Sequence, residues 1–152
     1  MRKASKKQKI RPTSNLVLQA IFNMLGDVEG LSFLDLFAGT GQVGLSAQER
    51  GAHVVFVELN PKLAGKIREL GGQKVVVSDA LKFLASTEDS WDVIFADPPY
   101  SFEDYQKLIE LALKRLNSGG IFILEHSSKL DFSADKKKVY GDTALSIWRK
   151  EE

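Results

Sequence analysis

Apolar residues recur along this chain in two alternating rhythms. Val17, Ala20, Ile21, Met24 and Leu25 fall three and four apart behind Thr13 or Ser14 as a cap, which predicts an amphipathic helix packed on a core. "LSFLDLF" then reads as a buried strand and "GQVGLSAQERG" as a helix ending near Gly51. The next strand is "HVVFVEL". Asn60 caps the helix after it, Pro61 takes its first position, and Leu63, Ile67 and Leu70 share one face until Gly71. The beat continues with "KVVVSD", a short helix around residues 80–85, and "WDVIFAD". A helix bearing Tyr105, Leu108, Ile109, Ala112, Leu113 and Leu116 follows, then a turn at "NSGG" and the strand "IFILEH". Near-continuous apolar strands alternating with helices predict a parallel sheet covered on both faces. The ending breaks the beat: "KKKVY" and "TALSIWR" flank Gly141-Asp142, the signal of a type II′ hairpin closing the sheet edge.

Composition narrows the class of protein. The 152 residues suit one domain, and 43% hydrophobic with 27% charged content is that of an ordinary globular chain. No apolar run reaches bilayer length, no secretory signal precedes the first helix, and cysteine is absent, so a soluble cytoplasmic protein without disulfide or thiolate-metal framework is expected. The net charge of +1 conceals an asymmetry. "MRKASKKQKIR" carries Arg2, Lys3, Lys6, Lys7, Lys9 and Arg11 with no acid, so residues 1–11 form a basic arm on a mildly acidic body of residues 12–152. Such an arm suits contact with a phosphate backbone, although a solvated terminus has the same composition.

The candidate chemistry begins after the first strand. Gly39, Gly41 and Gly44 of "LDLFAGTGQVG" make G-x-G-x-x-G, a spacing that permits a tight turn, close approach of backbone to ligand, and helix-strand packing. Glu58 ends the second strand, where a carboxylate can accept from both hydroxyls of a ribose, so the pair implies an adenosine-type cofactor. NAD and S-adenosylmethionine both present one. Thr40 sits within the loop and Asp35 precedes it; Asp35 suits the ammonium of a methionine tail, or it caps the loop. Asp79, beside Ala80, accepts from an adenine amine or caps the following helix.

The fourth strand runs into Asp97-Pro98-Pro99-Tyr100, a stiff loop, since neither proline has an N–H and Pro98 pushes Asp97 towards extended backbone. In a doubly wound sheet this loop lies beside the glycine loop. Asp97 and the Pro98 carbonyl offer two acceptors and Tyr100 a flat face, which suits a planar ring bearing an amino group. The lone pair of such an amine is conjugated into its ring; two acceptors on its N–H bonds aim it at an electrophilic methyl, and the ring leaves its stack to lie on Tyr100.

"LDLFAGTG", "VELNP", "SDA" and "DPPY", in this order, resemble a class I S-adenosylmethionine-dependent amino-methyltransferase. "IRPTSNLVLQAIFNML" before "LDLFAGTGQVGLSA" is similar in particular to the RsmD type, which methylates N2 of a guanine in small-subunit (16S) ribosomal RNA. The likeness runs from about Ile10 to the C-terminal hairpin. It implies that Phe37, Gly39, Thr40 and Gly41 line the cofactor, that Glu58 holds its ribose, and that Asp79 with Ala80 sits at its adenine. Asp97 and Pro98 would grip the target amine, with Pro99 and Tyr100 against the base. Arg11 and Thr13 match the family's "RPT" motif near the active site, and a substrate or phosphate contact by Arg11 is expected from its place at the end of the arm. Family members usually carry a longer segment before this motif, for which the basic arm is expected to stand in.

The expectation is therefore an α/β, doubly wound Rossmann-like methyltransferase fold with a seven-stranded, mainly parallel sheet and a C-terminal antiparallel hairpin. The expected reaction is methyl transfer from S-adenosyl-L-methionine to guanine N2 of ribosomal RNA or the small ribosomal subunit, by a monomer that uses no metal and no membrane. Adenine N6 in DNA or RNA is the nearest alternative, followed by NAD-dependent oxidation and noncatalytic RNA binding. His53 reads as structural, and the role of His126, at the end of the fifth strand, is open.

Overall fold

A computed structural model describes residues 13–152. Arg11 and the basic arm lie outside the described residues. The elements run α1 (Asn15–Leu25), β1 (Ser32–Leu36), α2 (Gln42–Glu49), β2 (His53–Glu58), α3 (Pro61–Glu69) and β3 (Lys74–Val77). They continue with α4 (Ala80–Ser86), β4 (Trp91–Ala96), α5 (Tyr105–Lys114), β5 (Leu116–Ser127), β6 (Lys136–Tyr140) and β7 (Thr143–Arg149).

The helix starts follow local chemistry. Ser14, rather than Thr13, caps α1 by accepting from Val17 N, and Asn60 caps α3 by accepting from Lys62 N and Leu63 N, with proline at the first turn. α2 begins at Gly41, which has no side chain to offer; the acceptor comes instead from Asp35 in β1, which takes Gly44 N at 2.9 Å.

The seven strands form one sheet in the order β3-β2-β1-β4-β5-β7-β6, parallel except where β7 runs antiparallel between β5 and β6. Side chains alternate across it into two cores. One, holding Phe33, Phe56, Phe95, Ile123 and Ile147, packs beneath α1, α2 and Ile67 of α3. The other, holding Leu34, Ile94, Phe122 and Trp148, packs beneath α4 and α5. Strand order reverses between β1 and β4, so the loops leaving their carboxyl ends diverge and leave a crevice.

The hairpin between β6 and β7 turns on Gly141-Asp142, with positive φ at Gly141 (64°) and none at Asp142, as a type II′ turn requires. Three expectations needed correction. Leu116 does not continue α5 and "NSGG" is not a free turn. The helix stops at Lys114, Leu116 pairs with Trp91, and the register then shifts, because Gly119 N and Gly120 O find partners on Lys150 and draw these residues into a bulged start of β5. Leu70 sits past the end of α3 and is 66% exposed, while Ala64 and Ile67 carry the buried face.

Candidate active site

A cavity of about 1350 Å³ opens at the carboxyl ends of β1, β2, β4 and β5. That exceeds the usual room for one drug-sized ligand and leaves space for a cofactor and a second ring. Its walls include Asp35, Phe37, Gly39, Thr40, Glu58, Asp79 and Ala80 on one side, and residues 97–102 with Thr13 and Glu125 on the other.

The glycine loop is shaped by its sequence. Phe37 adopts φ 56°, Gly39 59° and Gly41 81°, so the chain turns back on itself between β1 and α2. Glu58 is 9% exposed and ties this loop to its own strand end: Oε1 accepts from Gly39 N at 2.6 Å and Oε2 from Asn60 N at 2.9 Å. Each carboxylate oxygen has a second lone pair left for a hydroxyl. Asp35 is buried beneath the loop. Burial pushes its carboxyl up to about 8, with the Gly44 amide opposing and the neighbouring Glu58 charge adding to the rise. Asp79 caps α4 by accepting from Lys82 N at 3.0 Å while still lining the cavity. Both acids expected either to cap or to meet a ligand therefore do the first and remain placed for the second.

The fourth-strand loop begins with Asp97, half-buried, and Pro98, buried; Pro99 and Tyr100 are exposed. The carbonyl of Pro99 accepts from Phe102 N at 2.9 Å, closing a turn with Tyr100 at its tip, 66% exposed. Phe102 packs edge-on against Phe37 of the glycine loop, with 5.3 Å between ring centroids, and against Tyr105 at 5.0 Å. The row continues through Phe132 to His126. The Tyr105 phenol is raised by burial and by the Asp97 charge, so it remains protonated at neutral pH. Among the described residues no group of His, Cys, Asp and Glu is placed to hold a metal ion, and no helix is long and apolar enough to cross a membrane.

The family described as Conserved hypothetical protein 95, the RsmD family, matches residues 2–149. The chain belongs to this family. Among its relatives, YlbH of Bacillus subtilis, provisionally named an rRNA methyltransferase, is 32% identical over 92% of this chain and 88% of its own. Ribosomal RNA small subunit methyltransferase D of Escherichia coli is 26% identical over 93% and 80%. The solved structure of the Thermus thermophilus 16S rRNA N2 G1207 methyltransferase RsmC, in complex with AdoMet and guanosine, superposes with a TM-score of 0.78. It is 26% identical to this chain and covers 93% of it and 44% of the RsmC chain.

The fold of this RsmD-family chain gathers Asp35, Phe37, Gly39, Thr40, Glu58, Asp79, Ala80 and residues 97–100 around one cavity, with Thr13 at its edge. Gly41 serves as the cap of α2, where an added Cβ would lie 2.9 Å from Ile67. Arg11 lies outside the described residues. Sequence reasoning missed Glu125, which is 7% exposed and receives a long, 3.5 Å hydrogen bond from Thr13 Oγ1. The one signal for it was a carboxylate at the end of an otherwise apolar strand. His126 lines the cavity and is held at both ring nitrogens: Nδ1–H donates to the Ser127 carbonyl and Nε2 accepts from the Ser146 hydroxyl, each at 2.7 Å. Burial lowers its pKa, with Lys137 adding to the fall against the Ser127 carbonyl and Asp131, which favours the neutral ring this pairing needs.

Proposed function

We propose that this chain methylates the N2 amine of a guanine in small-subunit ribosomal RNA, with S-adenosyl-L-methionine as donor. The observation that carries the reading is the juxtaposition of two loops across the switch point of the sheet. The loop after β1 is shaped for an adenosine-type cofactor, and the loop after β4 for a flat amine, with Phe37 and Phe102 in contact between them.

The residues present fit the cofactor. Glu58 would accept from the ribose hydroxyls, Asp79 with Ala80 would border the adenine, and Asp35 with the loop at residues 37–41 would hold the methionine tail. When bound, the cofactor supplies an electrophilic methyl. The chain's own contribution is orientation and charge. Asp97 and the Pro98 carbonyl accept the two N–H bonds of the target amine and turn its lone pair out of conjugation; Tyr100 receives the unstacked base, and Pro99 stiffens the support. As the nitrogen gains the methyl it becomes cationic, Asp97 stabilises that charge, and the proton the amine must lose passes to Asp97.

The same reading makes Arg11 and the basic arm a phosphate contact, and residues 12–152 the single methyltransferase domain. It places the protein in the cytoplasm, acting as a monomer. The test is methyl transfer to under-modified small ribosomal subunits and to duplex DNA by the wild-type chain and Asp97→Ala. The expected result is wild-type transfer to RNA guanine only, and an Asp97→Ala variant that binds S-adenosylhomocysteine normally without turnover. Transfer to adenine, or undiminished turnover without Asp97, would overturn it.

A further inference from the structure

Gln42 opens α2, directly after the loop that turns between β1 and this helix. It lines the cavity, and none of the roles given above uses it. Half-buried as a whole, it keeps one atom shut away: among the buried side-chain nitrogens and oxygens of the described residues, Oε1 of Gln42 alone has no hydrogen-bond partner. The acids around it differ in this respect. Asp35 holds Gly44 N, Glu58 holds Gly39 N and Asn60 N, and Asp79 holds Lys82 N, so each receives a donor from the backbone.

An enclosed acceptor with no donor costs the chain free energy, and native folds keep one chiefly where something else supplies the donor. The helix makes no use of it, since the cap of α2 is Gly41 and Oε1 bonds to nothing in the first turn. The position narrows what the donor can be. Ribose and adenine belong with Glu58 at the end of β2 and with Asp79 and Ala80 at the start of α4, and the target amine belongs with the loop after β4. The start of α2 adjoins the loop at residues 37–41, which with Asp35 would hold the methionine tail. The ammonium of that tail carries three N–H donors and no acceptor. Asp35 is 1% exposed and its Oδ2 already takes Gly44 N, so it leaves donors of the ammonium to be met from elsewhere.

We propose that Gln42 Oε1 accepts a hydrogen bond from the α-ammonium of S-adenosyl-L-methionine, and that Gln42 is the residue by which the site distinguishes the complete amino-acid tail from one lacking the amine. A neutral amide suits this place, because it meets the ammonium without repelling the carboxylate carried by the same carbon. The empty chain bears the cost of the unpaired oxygen and the loaded chain is relieved of it. The inference rests on the cofactor reading and deepens it, and it holds whichever base is methylated.

The experiment uses the full chain, Gln42→Met and Gln42→Glu, titrated calorimetrically with S-adenosylhomocysteine and with its analogue lacking only the α-amino group. Wild type should bind the parent about tenfold or more tighter than the analogue. Gln42→Met, similar in length and at most a weak acceptor, should bind the parent about tenfold more weakly and the analogue as wild type does; Gln42→Glu, which keeps an acceptor, should retain the preference. Without ligand, Gln42→Met should melt at or above the wild-type temperature, having lost the unpaired oxygen, and saturating S-adenosylhomocysteine should raise its melting temperature less than it raises that of wild type. A role in packing alone predicts the reverse pair of results, a lower melting temperature without ligand and an unchanged preference between the ligands, and would overturn the assignment. Equal weakening of both ligands in Gln42→Met would overturn it too. A wild-type chain that binds no S-adenosylhomocysteine overturns the cofactor reading and this one with it, whereas a wild type that binds parent and analogue equally well overturns this one alone.

Discussion

The same substitution, glycine to alanine, should have opposite effects in two helices of this protein. In α2, a Cβ on Gly44 would overlap the Phe56 ring and lie 2.8 Å from Asp35 Oδ2. Neither can retreat easily, because Phe56 is fully buried and Asp35 is 1% exposed. Overpacking of this kind costs about 2 kcal/mol, and displacing Asp35 from Gly44 N leaves a buried polar pair unmade at about 2 kcal/mol more. Alanine's better helix propensity returns about 1 kcal/mol. The net destabilisation of Gly44→Ala is then about 3 kcal/mol, a fall in melting temperature of roughly 6–12 °C for a domain of this size. Gly65 in α3 has nothing within 4 Å of where its Cβ would stand, so Gly65→Ala should add up to about 1 kcal/mol, or roughly 2–4 °C. Differential scanning calorimetry of the two variants beside wild type reads both. If Gly44→Ala melts at or above the wild-type temperature, the third glycine of the motif is not there for helix-strand contact and the argument from packing fails.

Asp35, at about 8, has a folded pKa above its unfolded value near 3.8, so the folded chain holds a proton that the unfolded chain lacks between those limits. Its contribution to stability therefore falls as pH rises from about 4 to 8, and Asp35→Asn should flatten the melting-temperature profile across that window and exceed wild type above pH 8; parallel profiles would refute this. Glu58→Ala removes the acceptor shared by Gly39 and Asn60 and should weaken S-adenosylhomocysteine binding by about tenfold or more in calorimetric titration, while unchanged affinity would remove Glu58 from the cofactor site. Tyr100, exposed at its turn, should be replaceable by alanine with under about 0.5 kcal/mol lost in stability. Its loss should cost roughly 10- to 100-fold in kcat/KM on RNA, which Tyr100→Phe recovers; an active Tyr100→Ala would deny it a stacking role. Arg11→Ala should lower RNA methylation and flatten its salt dependence, and neither changing would dismiss the phosphate contact.

What the sequence made legible was what its physics makes local. Asn60-Pro61 announces a helix start, Gly141-Asp142 a two-residue hairpin, and "LDLFAGTG" a strand-turn-helix, because each depends on neighbours within a few positions. The start of β5 was misread because its fate is decided at a distance: Gly119 and Gly120 are drawn into the sheet by Lys150, thirty residues on. Glu125 escaped notice for the same reason, since Thr13 stands 112 positions away. For Asp35 and Asp79 the sequence left capping and ligand contact as alternatives, and the fold shows each accepting from a backbone amide while it lines the cavity.

β7 follows every other strand in sequence yet lies second from the edge of the sheet, between β5 and β6. During synthesis the outer edge of β5 consequently stays bare until residues 143–149 leave the ribosome, and β6, already made, has nothing to pair with. The earlier strand-helix-strand units can dock as they emerge, whereas this side of the sheet waits for a strand inserted late. A nascent or truncated chain lacking β7 forfeits two strands for the deletion of one, opens the apolar run Ile121–Leu124 to edge pairing with other chains, and lacks Thr143 from the cavity wall. The timing makes the half-made enzyme an incomplete one, so that competence to bind RNA and modify it would arrive with the closing of the sheet.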